Sequence, residues 1–459
     1  MSIAEDVDYL VVGAGAAGLA FTDALVHHGD ARVAMVDRRP GPGGHWRDAY
    51  PFVRLHQASQ FYGVASTMLG AGRVQSAGPE AGLQERATGA EVLAYFEAVL
   101  GRLRETDRVV FLAGHEHLGG RVVRDLETGA TVELDGTTRV VDARYLSPRT
   151  PADTPAPFAA TDDAAVSPVA DLPSRATQHE RFLIAGCGKT ATDAIVWLLS
   201  AGVDPSAISW VRPREPWMLD RAAVQPDPVA FQGMVASLVE AALVATTPDD
   251  LLLRLEDSGA VVRIDTAITP TMAKTPTLAR WELALLRTVD RVIRAGRIRG
   301  VGARAVDLDR GSFPLEPGTL TVHCAADGLR RPGLIPIWTD RAITLQPVRA
   351  GFPCFGAALV GYVEATRPDD DALKNATCPP SPLADTPRDW VDMMAHGMRA
   401  TAAFMAEPDI AAWTQSTTLN PARLPAAADR SPALTEILAR IEDAAPEAVV
   451  KLEALAAAG

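Results

Sequence analysis

Several features that define common protein classes are scarce or missing in this sequence. Its four cysteines (Cys187, Cys324, Cys354 and Cys378) are widely separated and form no Cys-x-x-Cys pair, which argues against a disulfide framework or a zinc site. No apolar run reaches about 18 residues, the length that a transmembrane helix needs. The chain also enters an apolar strand without a basic and then apolar leader. We therefore expect a soluble cytoplasmic protein with no integral membrane segment.

Positive charge is in deficit. The 459 residues carry 44 Lys and Arg against 57 Asp and Glu, which gives a net charge of −13. This balance argues against a nucleic-acid partner or a polybasic membrane patch. Hydrophobic residues make up 47% and charged residues 22%, which is typical of a globular protein long enough for two or three domains.

Two catalytic motifs and a metal-binding pattern are also missing. No Gly-x-Ser-x-Gly supports a serine hydrolase. Gly188-Lys189-Thr190 resembles the end of a P-loop, but Leu183 occupies the position where that motif requires its first glycine. His115 and His117 alternate along a predicted strand, yet no third ligand follows at a recognisable spacing, so we expect no metal site.

What the sequence does contain is a glycine turn near its start. The apolar run 9–12 ends in Gly13-Ala14-Gly15-Ala16-Ala17-Gly18, a helical pattern follows, and a second apolar run closes on Asp37. A strand, glycine turn, helix and strand in this order indicate a dinucleotide-binding unit. Asp37 lies about 20 residues beyond the last glycine, where a carboxylate can accept the ribose hydroxyls.

Each residue of this turn has a physical role in such a unit. Gly13 permits a sharp turn, Gly15 permits close approach of a pyrophosphate, and Gly18 permits the helix to pack on the sheet. The helix starts at about Ala16 and Ala17, where free N–H groups and the helix dipole favour phosphate. The turn therefore predicts that the phosphates of a dinucleotide bind here.

The same pattern starts again about 170 residues later. The apolar run 181–185 leads into Gly186-Cys187-Gly188-Lys189-Thr190, and after a helix the next apolar run, 208–211, is followed by Arg212 and Arg214. An acid after the second strand suits the free ribose of FAD or NAD, whereas an arginine suits the 2′-phosphate of NADPH. The order predicts FAD at the first unit and NADPH at the second, with Arg212 or Arg214 as the phosphate clamp and Lys189 and Thr190 as further contacts.

The residues after the first unit form a more specific combination. Arg38 follows Asp37, and Gly43-Gly44-His45-Trp46 precedes Tyr50-Pro51 and Arg54. Together with the two glycine turns, this combination resembles the flavin-containing monooxygenase group, the class B flavoprotein monooxygenases that include Baeyer–Villiger enzymes. The resemblance implies FAD, NADPH, O2 and a small-molecule substrate, whose nitrogen, sulfur or carbonyl carbon is oxygenated through a C4a-(hydro)peroxyflavin. It also implies that Arg38, Gly44 and His45 contact the cofactor.

The resemblance places further side chains beside the flavin ring. Trp46 is expected to pack near the isoalloxazine, and Arg54, His56 and Gln57 follow at positions that adjoin the flavin in this group. An amide such as Gln57 can donate and accept hydrogen bonds without titrating. A histidine such as His56 would make the reaction depend on pH near neutrality. Either residue is a candidate for the catalytic hydrogen bond, together with Arg54.

The predicted fold is α/β, with two Rossmann-like dinucleotide-binding domains, a small antiparallel meander and helical insertions. The NADPH domain is nested in the FAD domain. The boundaries are 1–150 for the first part of the FAD domain, 151–176 for a linker, 177–318 for the NAD(P)H domain with its helical insertion, and 319–459 for the second part of the FAD domain with the C-terminal helices.

Local patterns add more detailed expectations. Short alternating runs predict the meander within 109–144, and the strand ending at Cys324 is expected to re-enter the FAD domain. Short strands are expected to alternate with glycines in 342–364, and Gly356 and Gly361 are expected to bring a helix N-terminus against the flavin. Helical spacing predicts helices over 88–106, 228–245, 249–255 and 277–295.

One motif of the resembled group is absent between the two units. The group carries Phe-x-Gly-x-x-x-His-x-x-x-Tyr/Phe, but here Ala160 stands where the glycine after Phe158 belongs, and the next histidine is His179. This departure favours an alternative, an NAD(P)H-dependent flavin oxidoreductase or oxidase that inserts no oxygen. A flavin-binding sensor without catalysis and a second unit that prefers NADH are further alternatives.

Overall fold

The computed structural model describes residues 7–148, 150, 154–326, 328–367 and 369–458. Within them the chain forms helices and strands that build two parallel sheets and a layer of helices. The helices are α1 (Ala16–His28), α2 (Gly89–Glu105), α3 (Leu172–Arg175), α4 (Lys189–Ser200), α5 (Pro228–Val244), α6 (Pro248–Asp257), α7 (Arg280–Leu286), α8 (Pro353–Thr366), α9 (Asp371–Thr377), α10 (Pro387–Met405), α11 (Pro408–Ser416) and α12 (Pro432–Ala457).

The strands are short, and half of them belong to the two large sheets. They are β1 (Tyr9–Val12), β2 (Val33–Asp37), β3 (Val109–Ala113), β4 (His115–Gly119), β5 (Val122–Asp125), β6 (Thr131–Glu133), β7 (Arg139–Asp142), β8 (Ala159–Ala160), β9 (Val166–Pro168), β10 (Arg181–Ala185), β11 (Ile208–Val211), β12 (Trp217–Asp220), β13 (Val261–Arg263), β14 (Thr277–Leu278), β15 (Arg291–Ile293), β16 (Ile298–Val301), β17 (Ala305–Leu308), β18 (Gly311–Pro314), β19 (Thr319–His323) and β20 (Ala342–Thr344).

The first large sheet contains five parallel strands in the order β20-β7-β1-β2-β3. Its central strands are apolar and buried, as expected when helices cover both faces of a parallel sheet. The strands β1, β2 and β3 follow one another in one direction, and β7 and β20 extend the sheet in the other. Because the order reverses beside β1, a crevice forms at the carboxyl ends of β1 and β7.

The second large sheet repeats this arrangement in the order β15-β11-β10-β19-β9, again with every pair parallel. Here β10 takes the place of β1, with β11 on one side and β19 on the other. Leu183 of β10 pairs with Ser209 and Thr321. The predicted α/β fold with two Rossmann-like units is therefore confirmed.

Helices α5, α10 and α12 pack against one another as a separate layer. The helix α5 begins after Asp227, whose side chain accepts the Ala230 N–H, and Pro228 occupies its first turn. The predicted helices over 88–106, 228–245 and 249–255 are confirmed as α2, α5 and α6. In α2, Thr88 and Glu91 form a capping box that fixes where the helix starts.

Two local predictions were wrong because distant pairing overrode local pattern. Only β4, β5 and β6 form the antiparallel meander, whereas β3 and β7, from the two ends of 109–144, join the first parallel sheet. The predicted helix 277–295 is helical only in α7, because Val292 and its neighbours pair with β11 at the edge of the second sheet. Short apolar runs fit a helix or either kind of sheet, and the partner strand decides.

The strand ending at Cys324 also differs from expectation. It is β19, which lies between β10 and β9 in the second sheet, so 319–323 does not belong to the FAD unit. The chain returns to the first sheet later, with β20. The predicted linker 151–176 contains β8, β9 and α3, since Val166 pairs with Thr321, and its residues 151–153 lie outside the described part.

The region 342–364 folds as β20 followed by α8, not as alternating short strands. Its glycines serve packing, Gly361 of α8 on α1 and Gly356 of α8 on the loop after β20. A Cβ on Gly361 would lie 2.4 Å from the carbonyl oxygen of Phe21 on α1, and one on Gly356 would lie 3.0 Å from the Val348 nitrogen. The close contact of α1 with α8 therefore requires small residues here.

None of the helices in the described ranges is both long and apolar enough to cross a bilayer.

Candidate functional site

Both glycine turns open into one cavity of about 1920 Å³. The carboxyl ends of β1 and β2 line it on one side, and those of β10 and β11 line it on the other. Helices α5, α10 and α12 close it at a third side. Crevices at the carboxyl ends of parallel strands are the usual place for nucleotides in α/β folds, so the arrangement of the two sheets creates one continuous site.

The first turn keeps backbone open toward this cavity. Gly13 has a φ of +110°, and its N–H donates to the Val36 carbonyl at 2.8 Å. A Cβ on Gly18 would lie 2.0 Å from the Gly13 oxygen, so α1 could not approach the strand with any larger residue there. The nearest atom to a Cβ on Gly15 would be the Gly44 Cα at 3.6 Å, which leaves the Gly15 backbone facing open space.

The start of α1 and the end of β2 supply polar groups to the same end of the cavity. Ala16 and Ala17 line it, and no side chain caps this helix N-terminus. Asp37 is buried and accepts the Ala14 N–H at 2.9 Å, which fixes its carboxylate at the turn. Arg38 lies beside it on the cavity wall. Free N–H groups, a carboxylate and a cation together suit phosphates and ribose hydroxyls.

The second turn is built in the same way. Gly186 has a φ of +141°, and its carbonyl accepts the indole N–H of Trp210 at 2.7 Å. A Cβ on Gly188 would meet no atom within 4 Å, so this backbone is open. Gly188 is the N-cap of α4, without a side-chain cap, and Thr190 lies in the first turn of that helix on the cavity wall.

Lys189 lines the cavity but is already paired. Its ammonium forms an ion pair with Asp193, one turn further along α4. The other oxygen of Asp193 accepts the Tyr50 hydroxyl at 2.6 Å. This chain of polar contacts joins the second unit to the segment that follows the first unit.

Arg212 and Arg214, predicted as alternative phosphate clamps, lie in different environments. Arg212 is 2% exposed, stacks over the ring of Trp210 at 4.5 Å, bonds to Glu215 at 2.9 Å, and is not part of the cavity wall. Arg214 does line the cavity. Arg212 therefore does not face the cavity, because its guanidinium packs on Trp210, whose indole binds Gly186, and Arg214 is the clamp candidate that does face it.

Arg214 belongs to a cationic cluster that the sequence did not indicate. Its Nη1 lies 2.8 Å from Asp385, which also lies 3.5 Å from Lys274 and 3.6 Å from Arg331. Burial alone would raise the pKa of Asp385, but Arg214 and its neighbours lower it below its usual value. Two arginines share this one carboxylate, so an anion would be bound favourably beside them.

The segment after the Gly-Gly turn presents an aromatic wall. Trp46 is 8% exposed, donates its indole N–H to the Tyr62 hydroxyl at 2.6 Å, and stacks beside His45. Burial and the Arg39 cation lower the pKa of His45 to about 4. Both rings line the cavity and are uncharged at neutral pH, which suits a flat apolar ligand.

His56 and Gln57 lie together further along this wall, whereas Arg54 is exposed at its edge and donates to the Arg86 carbonyl at 3.2 Å. The amide of Gln57 is 6% exposed and makes no hydrogen bond to any residue that the structure describes. Burial, followed by the Lys189 cation, lowers the pKa of His56 to about 3. Gln57 thus remains available to a ligand, and His56 does not titrate near neutrality.

A buried ion network holds the backbone of this segment. Arg221 is 0% exposed, and its Nε donates to the His56 carbonyl at 2.9 Å. Its other nitrogens bind Glu80 at 2.7 Å and Glu282 at 2.5 Å. The hydroxyl of Thr277 also donates to the His56 carbonyl. Residues far apart in sequence therefore fix the position of Gln57, and no local motif could reveal them.

The shifted His56 leads to a testable pH dependence of stability. The unfolded chain has the ordinary histidine pKa of about 6.5, whereas the folded value is about 3. The stabilisation is therefore complete above pH 6.5 and is lost as the pH falls toward 3, at up to about 1.4 kcal/mol per pH unit. We expect His56→Asn to flatten the decline in unfolding free energy between about pH 6.5 and about pH 5. Urea denaturation at several pH values measures the free energy of unfolding, and His396→Asn, at an exposed histidine, is the control. The same decline with pH in the unchanged protein and both variants would contradict the prediction.

The third side of the cavity is apolar and rich in methionine. We call it the methionine chamber, and it is formed by residues of α5, α10 and α12. Methionine is flexible and adapts to ligands of different shape. The residues that line the chamber are Phe231, Met234, Val235, Leu238, Trp390, Met393, Met394, Met398, Thr401, Met405, Ile441 and Ala445.

Sequence reasoning missed several parts of this site. Ala143 and Arg144 line it because β7 belongs to the parallel sheet, and Ala325 lines it because β19 lies beside β10. The rule that ligands bind at carboxyl ends of parallel strands would have found them, had the strands been assigned to these sheets. For α10, and for Asp385 that holds Arg214 of the cavity wall, the sequence offers no comparable signal, because their positions depend on helix packing.

Comparisons with known proteins agree with this architecture. The family profile described as an NAD(P)-binding Rossmann-like domain matches residues 11–62. The uncharacterized protein Rv2000 of Mycobacterium tuberculosis is 38% identical over 419 residues, which cover 90% of this chain and 78% of the relative. The uncharacterized protein Mb2023 of Mycobacterium bovis matches to the same extent. The dinucleotide-binding unit predicted at the first turn is confirmed.

Solved structures with a similar fold were also found. An oxidized steroid monooxygenase bound to NADP has a TM-score of 0.47 and 14% identity, covering 95% of this chain and 98% of that chain. A cyclohexanone monooxygenase from Rhodococcus sp. Phi1 bound to NADP+ has a TM-score of 0.46 and 14% identity, covering 96% of this chain and 98% of that chain.

Proposed function

The chain belongs to the family that includes the mycobacterial protein Rv2000, and we propose that it is an FAD-dependent, NADPH-using monooxygenase acting on a small organic molecule. The observation that carries this proposal is the single cavity shared by two open glycine turns and an apolar chamber. A flavin reductase needs only the two nucleotide sites. The third, apolar compartment provides room for an organic substrate beside them.

The first unit fits FAD. Gly15 and Gly44 approach each other closely, since a Cβ on Gly44 would lie 3.0 Å from the Gly15 Cα, and the space beside Gly15 is free for phosphate. Asp37 would accept the ribose hydroxyls. Trp46 would pack against the flavin, and the unpaired amide of Gln57 would donate or accept at its polar edge.

The second unit fits NADPH. The open backbone of Gly188 and the N-terminus of α4 would hold the pyrophosphate. Arg214, with Arg331 and Lys274 nearby, would bind the 2′-phosphate. The phosphate would then replace some of the contacts that Arg214 makes with Asp385. Bound side by side at these two units, FAD and NADPH would supply hydride transfer to the flavin and the reactivity of reduced flavin toward O2.

The residues of this chain would orient the two cofactors and exclude water from the reaction. His56 stays neutral, with a pKa of about 3, and so supplies no proton near neutral pH. The catalytic hydrogen bond is therefore assigned to Gln57, whose amide keeps both donor and acceptor at every physiological pH. Arg54 is assigned a peripheral role because its side chain lies at the exposed edge of the cavity.

The purified protein, reconstituted with FAD, tests the proposal directly. We expect it to be yellow, to bleach with NADPH without oxygen, and to consume O2 and NADPH with formation of an oxygenated product. Amines, sulfides and ketones serve as candidate substrates. Hydrogen peroxide in stoichiometric amount with every candidate would instead support an oxidase, and a flavin that neither NADPH nor NADH bleaches would support a sensor.

Variants of Arg214 and Arg212 test the preference for NADPH over NADH. Because hydrogen bonds to charged groups contribute about 1.5–3 kcal/mol, we expect Arg214→Gln to lower kcat/KM for NADPH by about 10- to 150-fold while NADH is little affected. The matched variant Arg212→Gln should leave the NADPH/NADH ratio unchanged, since Arg212 lies outside the cavity wall. A ratio that changes only in Arg212→Gln would show that the assignment to Arg214 is wrong.

A further inference from the structure

One cation on the cavity wall lies apart from both phosphate-binding turns. Arg349 lies between β20 and α8, and its guanidinium carbon is 5.4 Å from the ring of Phe355 and 5.9 Å from the ring of Phe404. Its Nη1 donates to the Asn420 side-chain oxygen at 3.0 Å. Two aromatic rings and one amide therefore hold the guanidinium in a defined position against the cavity.

This cation has no carboxylate partner within the part of the chain that the structure describes. A guanidinium carries five N–H donors, and only Nη1 of Arg349 has an acceptor among those residues. Burial lowers the pKa of Arg349 to about 10, so it remains charged at neutral pH. Arg349 is half-buried on the cavity wall, and a partly desolvated charge without a counter-ion among the described residues favours a negatively charged ligand at this point of the cavity.

The cation adjoins the methionine chamber. Phe404, which packs on its guanidinium, belongs to α10, and the neighbouring face of α10 carries Met398 and Met405 into the chamber. The loop beside Arg349 also touches this helix, since a Cβ on Gly397 would lie 2.8 Å from the Cβ of Ala350. The apolar chamber and the Arg349 cation therefore meet along one helix.

We propose that the substrate is an apolar carboxylic acid whose hydrocarbon body fills the methionine chamber and whose carboxylate binds Arg349. A carboxylate matches the planar fork of a guanidinium and can accept two parallel hydrogen bonds from it. The apolar body displaces water from the methionine side chains, which adapt to its shape. The assignment of this ligand as a substrate rests on the proposed monooxygenase function, whereas its binding does not.

Binding is therefore measured without NADPH and without turnover. Dodecanoic acid, its methyl ester and dodecylamine share one hydrocarbon chain and differ in charge, and calorimetry below their micelle concentrations gives Kd for the FAD-loaded protein. We expect the acid to bind about 10- to 100-fold more tightly than the ester, and the amine most weakly. In Arg349→Gln the acid and the ester should bind equally, while Arg349→Lys should keep part of the preference. Arg440→Gln, on the surface of α12, should bind as the unchanged protein does.

Three results would overturn the proposal. Equal binding of acid and ester by the unchanged protein would mean that no cation recognises the ligand. A preference for the acid that persists in Arg349→Gln would assign recognition to another residue. Loss of FAD or a changed flavin absorption spectrum in Arg349→Gln, with Arg349→Lys normal, would show that the guanidinium serves the flavin. Failure of the proposed function would appear separately, as absent bleaching or absent oxygenation with acid binding intact.

Discussion

The variant Gly15→Glu is expected to lose its flavin. Gly15 adopts an ordinary backbone conformation as the N-cap of α1, and an added Cβ would lie 3.6 Å from its nearest neighbour, so the fold accepts a side chain there. The glutamate would instead occupy the space proposed for the pyrophosphate and add a negative charge beside it. Two like charges about 4 Å apart near a protein surface repel by about 4 kcal/mol, which corresponds to about a thousandfold increase in the Kd for FAD.

The absorbance ratio of flavin to protein after gel filtration measures this effect, followed by titration with free FAD. Gly15→Ala is the graded control, expected to weaken FAD only by a steric cost of about 1–3 kcal/mol. Gly101→Glu, on the exposed side of α2 with no atom within 4 Å of an added Cβ, controls for the added charge. Normal flavin content in folded Gly15→Glu would show that the first turn does not hold the pyrophosphate.

The second large effect concerns stability. Arg221→Ala is expected to lower the free energy of unfolding by about 3–5 kcal/mol, because it leaves Glu80 and Glu282 buried without one of their cations. Arg86 lies 2.5 Å from Glu80 and 3.7 Å from Glu282 and would compensate only in part. The His56 carbonyl would also lose its hydrogen bond from Arg221.

Urea denaturation followed by tryptophan fluorescence measures the loss. The double variant Arg221→Met, Glu282→Gln removes one cation and one carboxylate together and leaves the Arg86–Glu80 pair in place. It should recover most of the stability, since replacing a whole buried ion pair is often neutral. Arg299→Ala, which breaks an exposed pair with Asp309, should cost about 0–1 kcal/mol. If Arg221→Ala costs no more than Arg299→Ala, the network does not hold the segment before Gln57.

The local motifs were sufficient to predict the two nucleotide units. The geometry of a glycine turn can be read from its residues. Gly13 and Gly186 adopt a positive φ, and the position of Gly18 has no room for a Cβ, so all three positions require the glycines that the sequence shows. The capping box of α2 is equally local. Predictions that depended on partner strands were less accurate, as for β7, β19 and the segment 277–295. The partner of a short apolar run cannot be inferred from the residues of the run itself.

The roles of individual side chains in the site also depended on the tertiary structure. The sequence offered Gln57 as the candidate and His56 as its rival, and the folded surroundings, with burial and cations around His56, distinguish them. Arg212 and Arg214 are two residues apart, yet one supports Trp210 and the other faces the cavity. Side-chain direction and burial depend on packing, which spacing alone does not specify.

The sequence by itself determined that this protein carries two dinucleotide-binding units and a flavin-associated segment, because glycine, acid and arginine at fixed spacings are local geometric requirements. Only the tertiary structure decided that both units open into one cavity and that α5, α10 and α12 add an apolar chamber to it. It also placed Arg349 there without a counter-ion among the described residues. These features arise from contacts between residues far apart in the chain. Such contacts form through burial of apolar surface, and many different sequences can provide that burial equally well.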